Sequence, residues 1–281
     1  MQGKYIYFND QFFLENKAVI TAENRAFRYG DGVFETMLWR PNGIRNLSDH
    51  VARIQHAFNV LKFENAERFI AETIHQLVSK LLNKNESIHQ LNRIRMQFFR
   101  SGGGFYSPVS NTPEWVIQSM PIIPESDKIG KQAGLRVGLY TEQYKPTYPL
   151  SNLKSINCLP FVLAGLFRKQ QGFDEVILLN QEGRLCETLS SNIFVCYNNA
   201  IYTPALSEGC VDGTMRRAVI KIAKEMGKTI VEAKIQPQIL LEADEIFLTN
   251  AIKGIQWVMG YEQKRYFNTL SKQLQDRVNL L

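Results

Sequence analysis

Apolar residues recur along this chain with two spacings, and the switches between them mark out its elements. From Lys4 to Phe13 the pattern predicts two strands around Asn9-Asp10, a hairpin signal. Val51, Ile54, Phe58 and Leu61 fall on one helical face, with Ser48 placed to cap that helix. Ile70, Ile74, Leu77 and Leu81 set out a second helix after Asn65. From Leu91 to Phe99 the period becomes two. Ile94, Met96 and Phe98 face one way, and Arg93, Arg95 and Gln97 the other. Trp115 to Met120 reads as a further strand.

Pro121-Ile122-Ile123-Pro124-Glu125-Ser126-Asp127 breaks the pattern with two prolines among polar residues, so 121–127 is the expected linker. Beyond it strands are expected at 134–140, 174–179, 192–197, 229–235 and 244–249. Helices are expected from Pro160 to Gln171, through Met215, Val219, Ile222 and Met226 to a terminating Gly227, and through Leu270, Leu274, Val278 and Leu281. The reading is α+β in two lobes, a smaller N-terminal α/β domain at 1–120 and a larger C-terminal domain at 128–281.

Composition narrows the class. A chain of 281 residues, 44% hydrophobic and 21% charged, is globular, not disordered, collagenous or a disulfide scaffold. The longest apolar run, Leu159 to Phe167, is interrupted by Pro160 and Gly165 and falls short of the ~18 residues of a membrane span. No apolar h-region follows Met1, so no secretory signal is expected. Cys158, Cys186, Cys196 and Cys210 form no C-x-x-C, and His50, His56, His75 and His89 are scattered. Reduced thiols in a cytoplasm, and no metal, are expected. The net charge is +6 with pI near 9.1. Lys and Arg never occur three in a row, so nucleic acid is not the expected partner; a small anionic substrate or a phosphorylated cofactor suits this field. A non-catalytic basic binding protein remains the remote alternative.

Four segments carry candidate chemistry. Arg25-Ala26-Phe27-Arg28-Tyr29-Gly30-Asp31-Gly32-Val33-Phe34-Glu35-Thr36 is either a tight turn between strands or a turn that lets backbone approach a ligand. Lys154 stands between Leu153 and the Ser155-Ile156 pair, just before a helix. Most lysines are solvated charges, but one in an apolar setting has a lowered pKa and can form a Schiff base. Glu187 precedes Thr188, Leu189, Ser190, Ser191 and Asn192, which suits a capped turn or a site. Gly213-Thr214-Met215-Arg216 opens a helix whose N–H groups suit an anion.

In this order the four resemble the class IV pyridoxal-phosphate family, of fold type IV. Its members include branched-chain and D-amino-acid aminotransferases and 4-amino-4-deoxychorismate lyases. Tyr29-Gly30-Asp31-Gly32-Val33-Phe34-Glu35 is similar to its opening signature, and His50-Val51-Ala52-Arg53-Ile54 to its H-x-x-R-[LI] signature. The resemblance implies a two-lobed, D-amino-acid-aminotransferase-like fold with pyridoxal 5'-phosphate between the lobes, the C-terminal one binding it, and a homodimer completing the pocket. It implies Lys154 as the Schiff-base lysine and Glu187 as the partner of the pyridine nitrogen. It implies Arg53, Thr214, Met215 and Thr249 around the phosphate, with Ser190, Ser191 and Asn192 as the small polar run beside Glu187.

Within the family, local details resemble the lyases. Cys158 stands where branched-chain enzymes carry tyrosine, and Met215 where aminotransferases carry threonine. Thr249-Asn250-Ala251-Ile252 is similar to the lyases' N-A-[LI] segment. Arg100-Ser101-Gly102-Gly103-Gly104-Phe105-Tyr106-Ser107 is similar, with one spacing and one glycine different, to their R-G-x-G-G-x-G-Y-S loop. The resemblance thus implies release of 4-aminobenzoate and pyruvate in folate biosynthesis. The alternative is an aminotransferase of D- or branched-chain amino acids. Tyr29, Arg95, Arg100 and Asn250 are candidate substrate contacts, Arg95 and Arg100 being rivals for the carboxylate. Thr36 or Lys154 is the candidate proton donor to the leaving group.

Overall fold

The computed structural model of this protein describes residues 4–17, 19–123 and 134–281. The chain divides into two compact units, Met1–Pro124 with Leu153–Asn157, and Glu125–Asn152 with Cys158–Leu281.

The first unit contains β1 (Tyr5–Phe8), β2 (Gln11–Leu14), α1 (Arg25–Tyr29), β3 (Gly32–Arg40), β4 (Gly43–Ile44), α2 (Leu47–Leu61), α3 (Ala71–Lys84), β5 (Asn92–Arg100) and β6 (Pro113–Pro121). Its antiparallel sheet runs β2-β1-β6-β5-β3-β4. Asn9 and Asp10 turn the first hairpin at φ 43° and 66°, a left-handed region their short polar side chains tolerate. Ile94, Met96 and Phe98 are buried with Ile54, Phe58, Ile74, Leu77 and Leu81, as the spacing predicts.

Three local expectations change. α2 starts after a left-handed Asn46, so Ser48 lies inside the first turn and does not cap it. A 3-10 turn, Ala66–Arg68, follows Asn65, and α3 begins only after Ile70, which is exposed. The segment from Arg25 is not a turn between strands. It is a short helix, capped by the Asn24 side chain and ended by Gly30 at φ 63°, and then β3.

β4 pairs only with the far end of β3, at Trp39 and Arg40. The near end takes Leu153–Asn157 instead. Phe34 N–H donates to Lys154 O (2.9 Å), and Ile156 N–H to Gly32 O (3.1 Å). By its contacts this segment therefore joins the first unit, although it lies beyond the expected linker. Of that linker, Pro121 ends β6, Ile122 N–H bonds Leu91 O (2.8 Å), and 124–127 lie outside the described residues.

The second unit contains β7 (Leu135–Lys145), α4 (Leu159–Gln171), β8 (Glu175–Asn180), β9 (Leu185–Thr188), β10 (Asn192–Tyr197), β11 (Ala200–Pro204), α5 (Thr214–Glu225), β12 (Thr229–Ala233), α6 (Ile239–Glu242), β13 (Glu245–Asn250), β14 (Gly254–Tyr261), β15 (Lys264–Arg265) and α7 (Thr269–Val278). Its sheet runs β12-β11-β10-β13-β14-β7-β8-β9, with β15 on β14. Both faces are covered, so β8, β10 and β13 are almost continuously buried, as doubly packed strands are. Val219, Ile222, Leu274 and Val278 pack α5 and α7 on Phe194 and Phe247.

Candidate active site

In the first unit, alternation along β3 sorts the motif's side chains. Val33, Glu35 and Met37 point toward α2 and α3, and Phe34 and Thr36 to the opposite face. Thr36 is paired with Arg95 and Phe34 with Gln97, so these four share that face. The Arg95 guanidinium stacks on the Phe34 ring, 3.8 Å from its centroid, and Lys154 Nζ lies 4.4 Å from the same centroid. Arg95 and Lys154 are thus no farther apart than those two distances together. Arg95 also donates to Gln97 Oε1 (3.1 and 3.3 Å). A guanidinium and a primary amine are held on one aromatic platform, groups whose chemistry suits a carboxylate and a carbonyl.

Arg100 is differently placed. Its guanidinium donates to Asp31 Oδ2 (3.0 Å), Asn111 Oδ1 (2.6 Å) and Leu61 O (2.8 Å) and covers the Phe63 ring. It is buried and knits the sheet to the loop. Arg25 does likewise, donating to the Gly103, Gly104 and Phe105 carbonyls and to Asp31. The Tyr29 ring lies beneath Arg25 and 5.6 Å from the exposed Tyr106.

Arg53 is held on the helix side of β3. Its Nε and Nη2 both donate to Glu35 (2.7 and 2.6 Å), and His50 Nδ1 shares Glu35 Oε2 at 2.6 Å. All three are buried. Burial pushes the Glu35 carboxyl pKa up, but Arg53 and His50 overcome it and bring it to about 2. Burial lowers the His50 pKa, against the pull of Glu35. The imidazole is therefore neutral and donates its Nδ1 proton to the carboxylate.

In the second unit, Glu187 stands on β9, buried, with Oε1 taking the Lys145 ammonium and Oε2 the Val211 N–H (3.0 Å). Asn192 Nδ2 donates to Val211 O (2.8 Å). Ser190 is exposed at the turn; Ser191 is buried, and its Oγ takes the Asn250 side-chain N–H (3.0 Å). Asn250 Oδ1 accepts from Ile252 and Lys253 N–H, so this amide shapes its own turn.

Asn192 pairs with Thr249 across β10 and β13, and its Oδ1 approaches Gly213 so closely that any Cβ there would collide. Gly213 starts α5, whose N-terminus has no side-chain cap. Thr214 and Met215 are buried in its first turn, and the Met215 side chain joins the core. Thr249 Oγ1 is buried without a hydrogen-bond partner. An uncapped helix start beside an unsatisfied buried hydroxyl is an arrangement suited to an anion's oxygens.

The Amino-transferase class IV family profile matches residues 32–259. The chain belongs to that family. It is an enzyme of a pyridoxal-phosphate-dependent class. It is 29% identical over 258 residues to aminodeoxychorismate lyase of Bacillus subtilis, covering 89% of this chain and 84% of that one. It is 28% identical over 255 residues to a putative branched-chain-amino-acid aminotransferase of Methanocaldococcus jannaschii, covering 89% and 85%. The crystal structure of the branched-chain aminotransferase of the thermophilic archaeon Thermoproteus uzoniensis with norvaline superposes with TM-score 0.87 at 21% identity, covering 98% and 93%. The fold is type IV.

Several residues around these positions were not legible beforehand. Phe34 and Glu35 lie within the motif, and their divergent roles follow only once Gly32 is known to start a strand. Lys145 sits among Thr141, Glu142, Gln143, Tyr144 and Pro146, and no sequence signal separates it from a surface lysine. The expected strand stops at 140, whereas β7 runs to Lys145.

Proposed function

We propose that the chain is a pyridoxal-phosphate-dependent lyase that converts 4-amino-4-deoxychorismate to 4-aminobenzoate and pyruvate. The carrying observation is Met215. Where aminotransferases of the family place threonine, this helix start offers a buried thioether, which donates no hydrogen bond. Cys158 in place of tyrosine, the lyase relative and the +6 charge toward an anionic substrate support the same reading. A second reading, amino-acid transamination, is favoured by the branched-chain relative.

The residues fit the cofactor. In the second unit the Thr249 hydroxyl and the uncapped start of α5 would hold its phosphate, and Glu187 its pyridine nitrogen; the family resemblance adds Arg53 to the phosphate's partners. Asn250, Ser190, Ser191 and Asn192 line the turn beside them. When bound, the group supplies an electron sink for a carbon that loses its proton. Lys154 would hold the cofactor and, once displaced from it by the substrate's own amine, would take the proton from the amine-bearing carbon. Arg95, with two N–H groups on Gln97 and its face on Phe34, orients a substrate carboxylate. Arg100 has each of its three guanidinium nitrogens bonded within the protein, and Arg25 keeps the glycine-rich loop in place. Thr36, paired with Arg95, or Lys154 returns a proton to the departing enolpyruvyl group, so no net proton is consumed. Tyr29 closes the edge near the loop. We place the protein in the cytoplasm, as a homodimer.

One preparation and two assays test this: aminodeoxychorismate alone, and leucine or D-alanine with 2-oxoglutarate. The expected outcome is 4-aminobenzoate and pyruvate without an oxo-acid. Fast transamination with no 4-aminobenzoate overturns the lyase reading. Borohydride reduction and peptide mapping should place the cofactor on Lys154; a label elsewhere overturns that role.

A further inference from the structure

Lys145 ends β7 with only 8% of its surface exposed, beside Glu187 at 4%. Its ammonium donates to Glu187 Oε1 and to Ser151 O (3.1 Å) and lies 5.4 Å from the centre of the Phe161 ring. Glu187 Oε2 is fixed separately by Val211 N–H. Each carboxylate oxygen thus has one donor and keeps a lone pair for another. Lysines are almost never this buried unless paired. Burial draws the Lys145 pKa down, yet the Glu187 charge outweighs it and the pKa is raised.

We propose that Lys145 is a positioning residue for the reaction: it orients the Glu187 carboxylate, and so governs how Glu187 meets the cofactor's pyridine nitrogen. This rests on the reading of Glu187 given above. The ammonium fixes Oε1 while Val211 N–H fixes Oε2, so the carboxylate is held from both sides and its remaining lone pairs keep one direction. The buried ammonium also supplies the opposite charge that a buried carboxylate needs.

The test uses Lys145→Met, Lys145→Arg, Glu187→Gln and the double variant Lys145→Met with Glu187→Gln. Each is reconstituted with pyridoxal phosphate carrying 15N at the ring. The readouts are the 15N resonance, the cofactor dissociation constant, kcat and KM. Lys145→Met should lower kcat at least about tenfold with little change in KM, shift the ring resonance and weaken cofactor binding. Lys145→Arg should restore the resonance and most of the rate. In the double variant the rate should match Glu187→Gln alone, because Lys145 acts through that carboxylate. A merely structural lysine would give losses that multiply. Multiplying losses, or a Lys145→Met enzyme with wild-type kcat and resonance, overturn the proposal. Lys145→Gln, a neutral donor, replaces the methionine variant if that one fails to fold, and full rate in it is equally fatal. An unaffected Glu187→Gln overturns the role of Glu187 and this proposal together. An impaired Glu187→Gln beside an unaffected Lys145→Met overturns this proposal alone.

Discussion

Thr249 shows how one atom can separate stability from binding. Its Oγ1 is buried on β13 with no hydrogen-bond partner. A buried hydroxyl in that state costs roughly 1–3 kcal/mol of folding energy. Thr249→Val keeps the shape and the β-branch and removes the orphan. The variant without cofactor should therefore melt at the same temperature as the parent or higher. Its affinity for pyridoxal phosphate should fall about tenfold to a hundredfold, since a hydrogen bond to a charged group contributes about 1.5–3 kcal/mol. Calorimetry on the cofactor-free protein and a titration with the cofactor read the two effects separately. A less stable variant with unchanged affinity would assign Thr249 to the fold. Sequence alone could nominate Thr249 by resemblance, but the unsatisfied hydroxyl is a fact of burial. The same holds for Arg100: glycines beside an arginine suggested a substrate contact, while Asp31, Asn111 and Leu61, distant in sequence, occupy its donors.

At the level of elements, β3 and α2 are joined by a charge network in which every member is buried. Glu35 on the strand takes both Arg53 and His50, one helical turn apart on α2. Glu35→Gln removes the negative charge that faces the buried Arg53 guanidinium, so it should destabilise the protein by roughly 3–5 kcal/mol. The pH dependence has a definite sign. The folded carboxyl has a pKa of about 2, below the ~4.3 of an unfolded glutamate. Its contribution is full above ~4.3 and lost as pH falls toward 2. The stability gap between parent and Glu35→Gln should stay constant from about pH 7 to 5 and shrink below about pH 4. Urea unfolding from about pH 7 down to about pH 2 measures it, and a gap undiminished at about pH 2 would contradict the network. Most elements here were legible because Ile94, Met96 and Phe98, or Val219 and Ile222, repeat with a clean period. β3 was not, because Gly30, Asp31 and Gly32 read as turn residues and hid the strand that Gly32 begins. The Gly-rich start is needed because Gly32 packs against the Phe98 carbonyl and Gly30 against the Asn157 amide, leaving no room for a Cβ.

At the scale of the whole molecule, α4 carries a feature that a single chain does not explain. Its Ala164 side is buried, but Leu159, Val162, Leu163 and Leu166 are exposed. These positions repeat as i, i+3, i+4 and i+7, a continuous apolar stripe on one helical face. Burying each such side chain is worth roughly 1.5–3 kcal/mol, so a stripe of this kind on a stable helix marks a surface that is covered in use. A second copy of the chain supplies the same stripe, and a two-fold axis lets each cover the other without an open-ended contact. In the sequence, Leu159 to Phe167 reads only as an apolar run too short for a membrane, and no helix among the described residues is long and apolar enough to cross one. Sedimentation of the parent should give a dimer at assay concentrations. Leu163→Glu and Leu166→Glu, which place carboxylates in the middle of the stripe, should shift it toward monomer by at least about tenfold in dissociation constant while circular dichroism shows the helix content unchanged. A parent protein that sediments as a fully active monomer would refute the assembly, and glutamate variants that remain dimeric would move the interface away from α4.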